Sequence, residues 1–413
     1  MQQTILSELN NPKQLEKLYR SNKLSFKRSF AALYPELTGN PIAEFWNERL
    51  NYETDEFSWG SRKDLLFVII ASLIAGIVAK LPAIFNIDEE SFYMRNAAFI
   101  IFPALSAYFA WKNKLSTGKI VFVFGAILIG LNFINFIPFV ENGDTLILSC
   151  IHMVVFLWSI LGFAFVGGSN NNEKRLGYLK YNGDLLVMTA LIVIAAGILT
   201  GITIGLFSLI GFEIEKFYFE YIVLFGLPAA PIIGTYLTQT NPQLVGKVSP
   251  VIAKIFSPLV LVMLVIYLGA IVISGKDPYN DREFLLIFNA LLIGVMAIIF
   301  FSIAGTAKTA KNQTETWILL LLSVVTIIVN GIALSAILFR ISELGLTPNR
   351  AAVLGGNVLI LINLLLVTAK LFKVVSKKAD IGAVEKTIAN YLPVYFVWAT
   401  IVTFLFPFFF GFK

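Results

Sequence analysis

Apolar residues in this chain gather into long unbroken runs. Eleven runs meet the length of about 20 residues that a helix needs to cross a bilayer. They lie near 65–86, 93–111, 119–139, 145–167, 185–211, 217–238, 255–274, 283–304, 316–339, 351–373 and 392–412. Residues 1–60 read differently, as polar sequence with apolar residues at helical spacing. Asn11-Pro12 starts one predicted helix, with Leu15, Leu18 and Tyr19 on a face. Phe26, Phe30, Leu33 and Tyr34 mark a second face, closed by Pro35. Asn40-Pro41 starts a third helix, with Ile42, Phe45, Trp46 and Leu50 on its face. The expected fold is all-α: a polytopic transmembrane bundle of about eleven helices over residues 63–413. A short cytoplasmic amphipathic cap, residues 1–62, lies on the membrane or on the bundle. A partner-docking domain is the alternative for the cap.

Composition agrees with a membrane protein. Of 413 residues, 57% are hydrophobic and 14% charged, and the mean hydropathy is +0.78; soluble domains average about 25% charged. A net charge of +6 invites a nucleic-acid reading, but the cations sit between apolar runs and mostly on one side. The connections after runs two, four, six, eight and ten carry Lys112, Lys114, Lys119, Lys174, Arg175, Lys180, Lys247, Lys254, Lys308, Lys311, Lys370, Lys373, Lys377, Lys378 and Lys386. The other set holds Arg95, Lys216, Lys276, Arg282, Arg340 and Arg350. By the positive-inside rule this asymmetry of fifteen to six puts the N-terminal segment in the cytoplasm and Lys413 outside. Lys80, near the outer end of run one, is expected to snorkel. Ile381, Val384, Ile388 and Tyr391 can form one face of an interfacial helix in the basic Lys370–Tyr391 connection. No cleavable signal peptide is expected at the N-terminus.

Familiar chemical signatures are missing. The sequence has no GxxxxGK, CxxC or HExxH, and Cys150 and His152 are its only cysteine and histidine. One of each cannot build a His/Cys zinc site or an internal disulfide, and no nucleophile is marked for His152 to activate. No cofactor, metal or nucleic-acid partner is expected, and catalysis is not favoured. Polar intramembrane residues are more informative: Asn132, Asn135, His152, Thr200, Thr203, Ser208, Glu220, Asn289, Asn330 and Asn357 mostly fall in the outer half by this topology. Polar groups in hydrocarbon must face one another or a wet cavity, so each has both a packing and a ligand reading. Gly197, Gly201 and Gly205, opposite Gly226, Ala230 and Gly234, predict close packing of runs five and six. Pro228 and Pro231 predict a kink in run six.

The stretch Arg340–Asn357 is the strongest candidate site. Thr347 reads as an N-cap and Pro348 as a first helical residue, which puts Arg350 in a first turn, against the helix dipole. Such a cation has an anion to meet, either Glu343 or a ligand. RISELGLTPNR resembles the signature of an uncharacterised bacterial inner-membrane family, domain of unknown function 4153. LEKLYRSNKLSFKRSFAALYPEL and FWNERLNY resemble the amino-terminal part of its Bacteroidetes-type members. The resemblance implies a bacterial multi-pass protein and adds weight to Thr347, Pro348, Asn349 and Arg350, without a substrate or cofactor. The expected function is transport or handling of a lipid or envelope precursor. An outward cavity would contain Arg350, Arg340, Glu343, Asn349, Thr347, Asn357, Asn330, His152 and Glu220, with membrane lipids and an anionic ligand as partners. The rival is a non-catalytic scaffold or sensor that recruits partners through its cap or outer loops.

Overall fold

The computed structural model describes residues 2–21, 23–51, 59–140, 143–168, 171–209, 213–244, 256–266, 268–269, 282–304 and 313–413. Lys247, Lys254, Lys276, Lys308 and Lys311 lie outside the described residues, as does part of run 255–274. Regular structure among the described residues is helical throughout. The chain divides into two units, Met1–Ser58 and Trp59–Lys413, a boundary a few residues ahead of the expected one.

The first unit holds α1 (Gln2–Ser7), α2 (Pro12–Ser21), α3 (Lys23–Leu33), a 3-10 turn (Tyr34–Glu36) and α4 (Pro41–Asn51). Asn40 Oδ1 accepts from the Ile42 and Ala43 amides at 2.9 and 3.2 Å, capping α4 in front of Pro41. The three predicted faces meet one another: Leu15, Phe26, Phe30, Leu33, Trp46 and Leu50 are buried in one cluster. The apolar surface expected to rest on membrane or bundle therefore largely serves an internal core. Glu16 pairs with Arg20 within α2 at 2.7 Å and ties α2 to α4 through Arg49 at 2.9 Å. The Arg20 hydrogen bond, with Arg49 beside it, holds the Glu16 carboxyl below its ordinary range despite partial burial.

The second unit runs α5 (Arg62–Phe85), α6 (Glu89–Lys112), α7 (Thr117–Phe136), α8 (Thr145–Val166) and α9 (Asn172–Leu209). Next, α10 (Glu215–Phe217) passes through a π-helical turn, Tyr218–Val223, into α11 (Leu224–Thr240). Then come α12 (Phe256–Ile266), α13 (Arg282–Ala304), α14 (Gln313–Leu344), α15 (Pro348–Val375), α16 (Ile381–Phe404) and a last turn, α17 (Phe406–Phe409). Among the described residues eight helices are long and apolar enough to cross a membrane: α5, α7, α8, α9, α10–α11, α14, α15 and α16. α6 matches them in length but carries Glu89, Glu90, Arg95 and Asn96. Of runs seven and eight, the described residues include the apolar segments Phe256–Ile266 and Phe288–Ile303, the second within the 23-residue α13. Ser61, Asp88, Thr347 and Asp380 cap α5, α6, α15 and α16 with their side-chain oxygens.

Two apolar cores organise this unit. One joins α5–α8 with the start of α9 and the end of α11 around Phe99, Phe109, Val123, Leu157 and Tyr181. The other joins α12–α16 around Phe288, Leu292, Ile299, Leu322, Val329 and Leu364. Trp158 of α8 packs against both.

Cations bind helix ends. Arg95 Nη1 donates to Ile134 O and Ile137 O, at 2.6 and 2.8 Å, where α7 finishes. Lys119 Nζ reaches Gly167 O at 2.7 Å, just past α8, and Asn113 Nδ2 donates to Ala164 O and Phe165 O. Last-turn carbonyls have no intrahelical donor and carry the negative end of the dipole, so these bonds satisfy them. Lys112, in the last turn of α6, pairs with Asp64 in the first turn of α5 at 3.2 Å.

Four expectations change. α9 begins at Asn172, well before residue 185, because the charged Lys174–Asp184 stretch continues the same helix. Its Gly197 and Gly201 face open space; the α9–α11 contact is made instead by Gly234 against Leu185 and Thr189. Ile381–Tyr391 is the first part of α16, with Val384 and Ile388 fully buried in the second core, rather than an interfacial helix. Lys80 does not reach outward: its Nζ is buried over the Tyr221 ring, 3.0 Å from the centroid.

Candidate functional site

Hydrogen bonds from Thr145 N to Lys413 O and from Ser149 Oγ to Thr403 O join the start of α8 to the end of the chain. Leu148, Ala352, Val402 and Phe406 cluster there, so the start of α15 belongs to the same end of the bundle. Below this cluster α8, α9, α13, α15 and α16 surround a cavity of about 550 Å³. Its residues recur at helical spacing: Leu148, His152, Val155 and Trp158 on α8; Ala352, Val353, Gly356, Asn357 and Ile360 on α15; Leu392, Tyr395, Trp398 and Ala399 on α16. α13 adds Asn289, Ile293, Met296 and Phe300, and α9 adds Leu179 and Asn182. Val155 and Ile293, which also line the cavity, are exposed apolar residues.

The two glycines of α15 shape the wall. A Cβ on Gly355 would fall 2.1 Å from the Trp398 ring, so only glycine admits that indole. On Gly356 the nearest atom would be Trp398 Nε1 at 3.9 Å, which leaves room toward the cavity.

The lining is mostly hydrocarbon, and no formally charged side chain is among its described residues. Its polar groups are only partly engaged. His152 Nδ1 lies 2.9 Å from Leu148 O; a carbonyl only accepts, so Nδ1 carries the proton and Nε2 presents a lone pair. Asn363 Nδ2 donates to Tyr395 Oη at 2.9 Å, leaving the phenol hydrogen to donate. Asn357 Nδ2 donates to Asn289 Oδ1 at 2.9 Å, and Asn330 Nδ2 to Asn357 O at 3.2 Å. Trp398 Nε1 is buried without a protein acceptor, and an unmet buried donor costs about 1–3 kcal/mol. Trp158 Nε1 and Asn182 are satisfied by each other at 2.9 Å, with Asn182 Nδ2 passing on to Tyr178 O.

The predicted site residues separate into groups. His152 and Asn357 share the cavity wall, and Asn330 backs Asn357 from α14. Thr347, Asn349 and Arg350 stay at the α14–α15 turn. Thr347 Oγ1 accepts from the Arg350 amide at 3.3 Å, as an N-cap should. Arg350 does not pair with Glu343, which is exposed. Its Nη1 donates to Leu344 O and Gly345 O at 2.8 and 2.7 Å, the last carbonyl of α14 and the one just past it. The expected conflict with its own helix dipole is resolved by the opposite pole of the preceding helix. Arg340 is half-buried in the last turns of α14, and Glu220 lies in the π turn ahead of α11; neither lines the cavity. Sequence reasoning missed Tyr395, Trp398, Asn182 and Gly356. The Gly355-Gly356 pair and two aromatics three residues apart on run eleven were their only signal.

Eight such helices, in regular structure that is helical throughout among the described residues, define a multi-pass membrane protein. No family model matches the chain, and neither a curated protein nor a solved structure does. Nothing in these comparisons bears on the resemblance of RISELGLTPNR and the N-terminal segments.

Proposed function

We propose that this protein transports or handles a long apolar molecule, a lipid or envelope precursor, in the α8–α9–α13–α15–α16 cavity. The observation that carries this reading is the unmatched set of polar groups on an otherwise hydrocarbon wall. Trp398 Nε1–H, the Tyr395 hydroxyl and Asn289 Nδ2 are donors, while His152 Nε2 and Asn357 Oδ1 are acceptors. An uncharged ester, amide or hydroxyl suits them, and a hydrocarbon chain suits the remaining wall. Such a molecule enters from the bilayer beside the exposed Val155 and Ile293. With the charge asymmetry of the connections, the cavity lies toward the outer half of a bacterial inner membrane, and the N-terminus is cytoplasmic. The scaffold or sensor alternative draws on the separate core of the N-terminal unit.

Native mass spectrometry of the full chain released from lipid nanodiscs tests the proposal. Wild type retains a lipid-mass adduct, and Gly356→Trp, which fills the cavity from a position with free space around it, loses it at unchanged melting temperature. Equal adducts on both proteins would contradict a cavity-bound ligand.

A further inference from the structure

A second cavity, of about 310 Å³, also lies against α8, α9 and α16, and Trp158 and Leu392 line both cavities. On α8 the lining continues without a break in register from Leu148, His152 and Val155 through Trp158 to Gly162 and Val166. At 1.5 Å per residue that stripe is roughly 27 Å long, close to a hydrocarbon core of about 30 Å. On α9, Arg175 and Tyr178 line the smaller cavity and Asn182 the larger, at spacings that keep all three on one helix face. The two cavities are thus neighbours along one face of α8, sharing Trp158 and Leu392 as a common wall. Trp158, held by Asn182, stands between them.

The two cavities differ in charge. Arg175 is the one charged side chain among the described lining residues of either cavity. Lys119 and Lys174 lie beside it, with Nζ atoms on Gly167 O and Val166 O at 2.7 and 3.4 Å. Glu173 is the carboxylate of the same α9 turn. These cations cap α8, and Arg175 Nη1 also donates to Ala389 O at 3.3 Å. A guanidinium has five donors and an ammonium three, so such groups can hold a carbonyl and an oxyanion together. Phe163, Tyr178 and Phe396 are among the apolar residues that make up most of the wall, which suits the apolar neck of a lipid better than a hydrated free ion.

We propose that the smaller cavity binds the phosphate or carboxylate head of an anionic amphiphile whose chain passes Trp158 into the larger cavity. This rests on the chain-binding reading above and adds a head-group site in the neighbouring cavity.

Trp158 is a built-in reporter, one of six tryptophans, and its signal is the difference between wild type and Trp158→Phe. The full chain is placed in phosphatidylcholine nanodiscs doped with lipid brominated on its acyl chain. Brominated phosphatidylglycerol should quench Trp158 at a mole fraction roughly tenfold lower than brominated phosphatidylcholine, about the effect of one charge-assisted hydrogen bond. Arg175→Gln should remove that preference, and Arg175→Lys should retain part of it. Excess inorganic phosphate should leave the quenching unchanged; displacement of the lipid would assign the site to a free anion and overturn the proposal. Equal quenching by both lipids would overturn the head site alone and requires no variant at Arg175. No Trp158 quenching by either lipid would overturn the chain-binding reading as well.

Discussion

Two sets of asparagines join membrane helices in this protein, and they are wired differently. Asn96 of α6 and Asn135 of α7 donate to each other's Oδ1 at 3.0 and 2.8 Å. Each also donates to the carbonyl four residues back, Phe92 O and Leu131 O. The pair is closed: its donors and side-chain acceptors meet inside the protein, and it holds two helices together. On the other side of the bundle the bonds run one way, from Asn330 to the Asn357 carbonyl and from Asn357 to Asn289. Asn330 Oδ1 is left buried without a donor, and the chain ends at the cavity wall. Asparagine closes the first contact and faces a ligand-sized space at the second. Residue type is alike in the two sets; position along the helices and the identity of the neighbours separate them.

The same division between closed contact and open face applies to the glycines, where the largest effect is expected. Gly234→Leu must displace Leu185 and Thr189, whose atoms lie only 3.2 and 3.1 Å from the point a Cβ would occupy, and overpacking of this kind costs about 1–3 kcal/mol. Gly201→Leu meets nothing and should leave the melting temperature in nanodiscs unchanged. A large loss at Gly201 would mean that α9 is packed along its far half after all.

For the asparagines themselves, Asn96→Ala should cost about 1–3 kcal/mol, because it removes both side-chain bonds that join α6 to α7. Asn357→Ala removes one side-chain bond and keeps the carbonyl that Asn330 uses, so about 1 kcal/mol is expected, together with reduced lipid retention. Thermal melting and native mass spectrometry read the two quantities separately. If Asn357→Ala proved as destabilising as Asn96→Ala and left lipid retention intact, the open set would be packing as well.

Much of the fold was legible in the sequence, because whole-helix hydrophobicity and helix caps are local signals. The Thr347-Pro348 start of α15, and the Asn11-Pro12 and Asn40-Pro41 starts in the first unit, fall where capping chemistry puts them. Charge obscured other boundaries: Lys174, Lys180 and Asp184 concealed the first part of α9, and the basic Lys370–Lys386 stretch made the start of α16 resemble a surface helix. The site was less legible because it depends on neighbours. Arg95 and Arg350 meet carbonyls at the ends of other helices, and no spacing within one helix reveals such partners. Trp398 and Tyr395 were indistinguishable from the apolar run around them until Gly355 brought the indole onto α15.

The central claim is that the larger cavity holds a lipid-like chain, and Met296 offers the most direct measurement. Its side chain lines the cavity and is only 6% exposed, whereas Val329, on the neighbouring α14, is fully buried in the second core. A photoreactive amino acid placed at each position is irradiated in native membranes, and the adducts are weighed. The account predicts a lipid-mass adduct at Met296 and none at Val329. No adduct at Met296, or equal adducts at both positions, would contradict it.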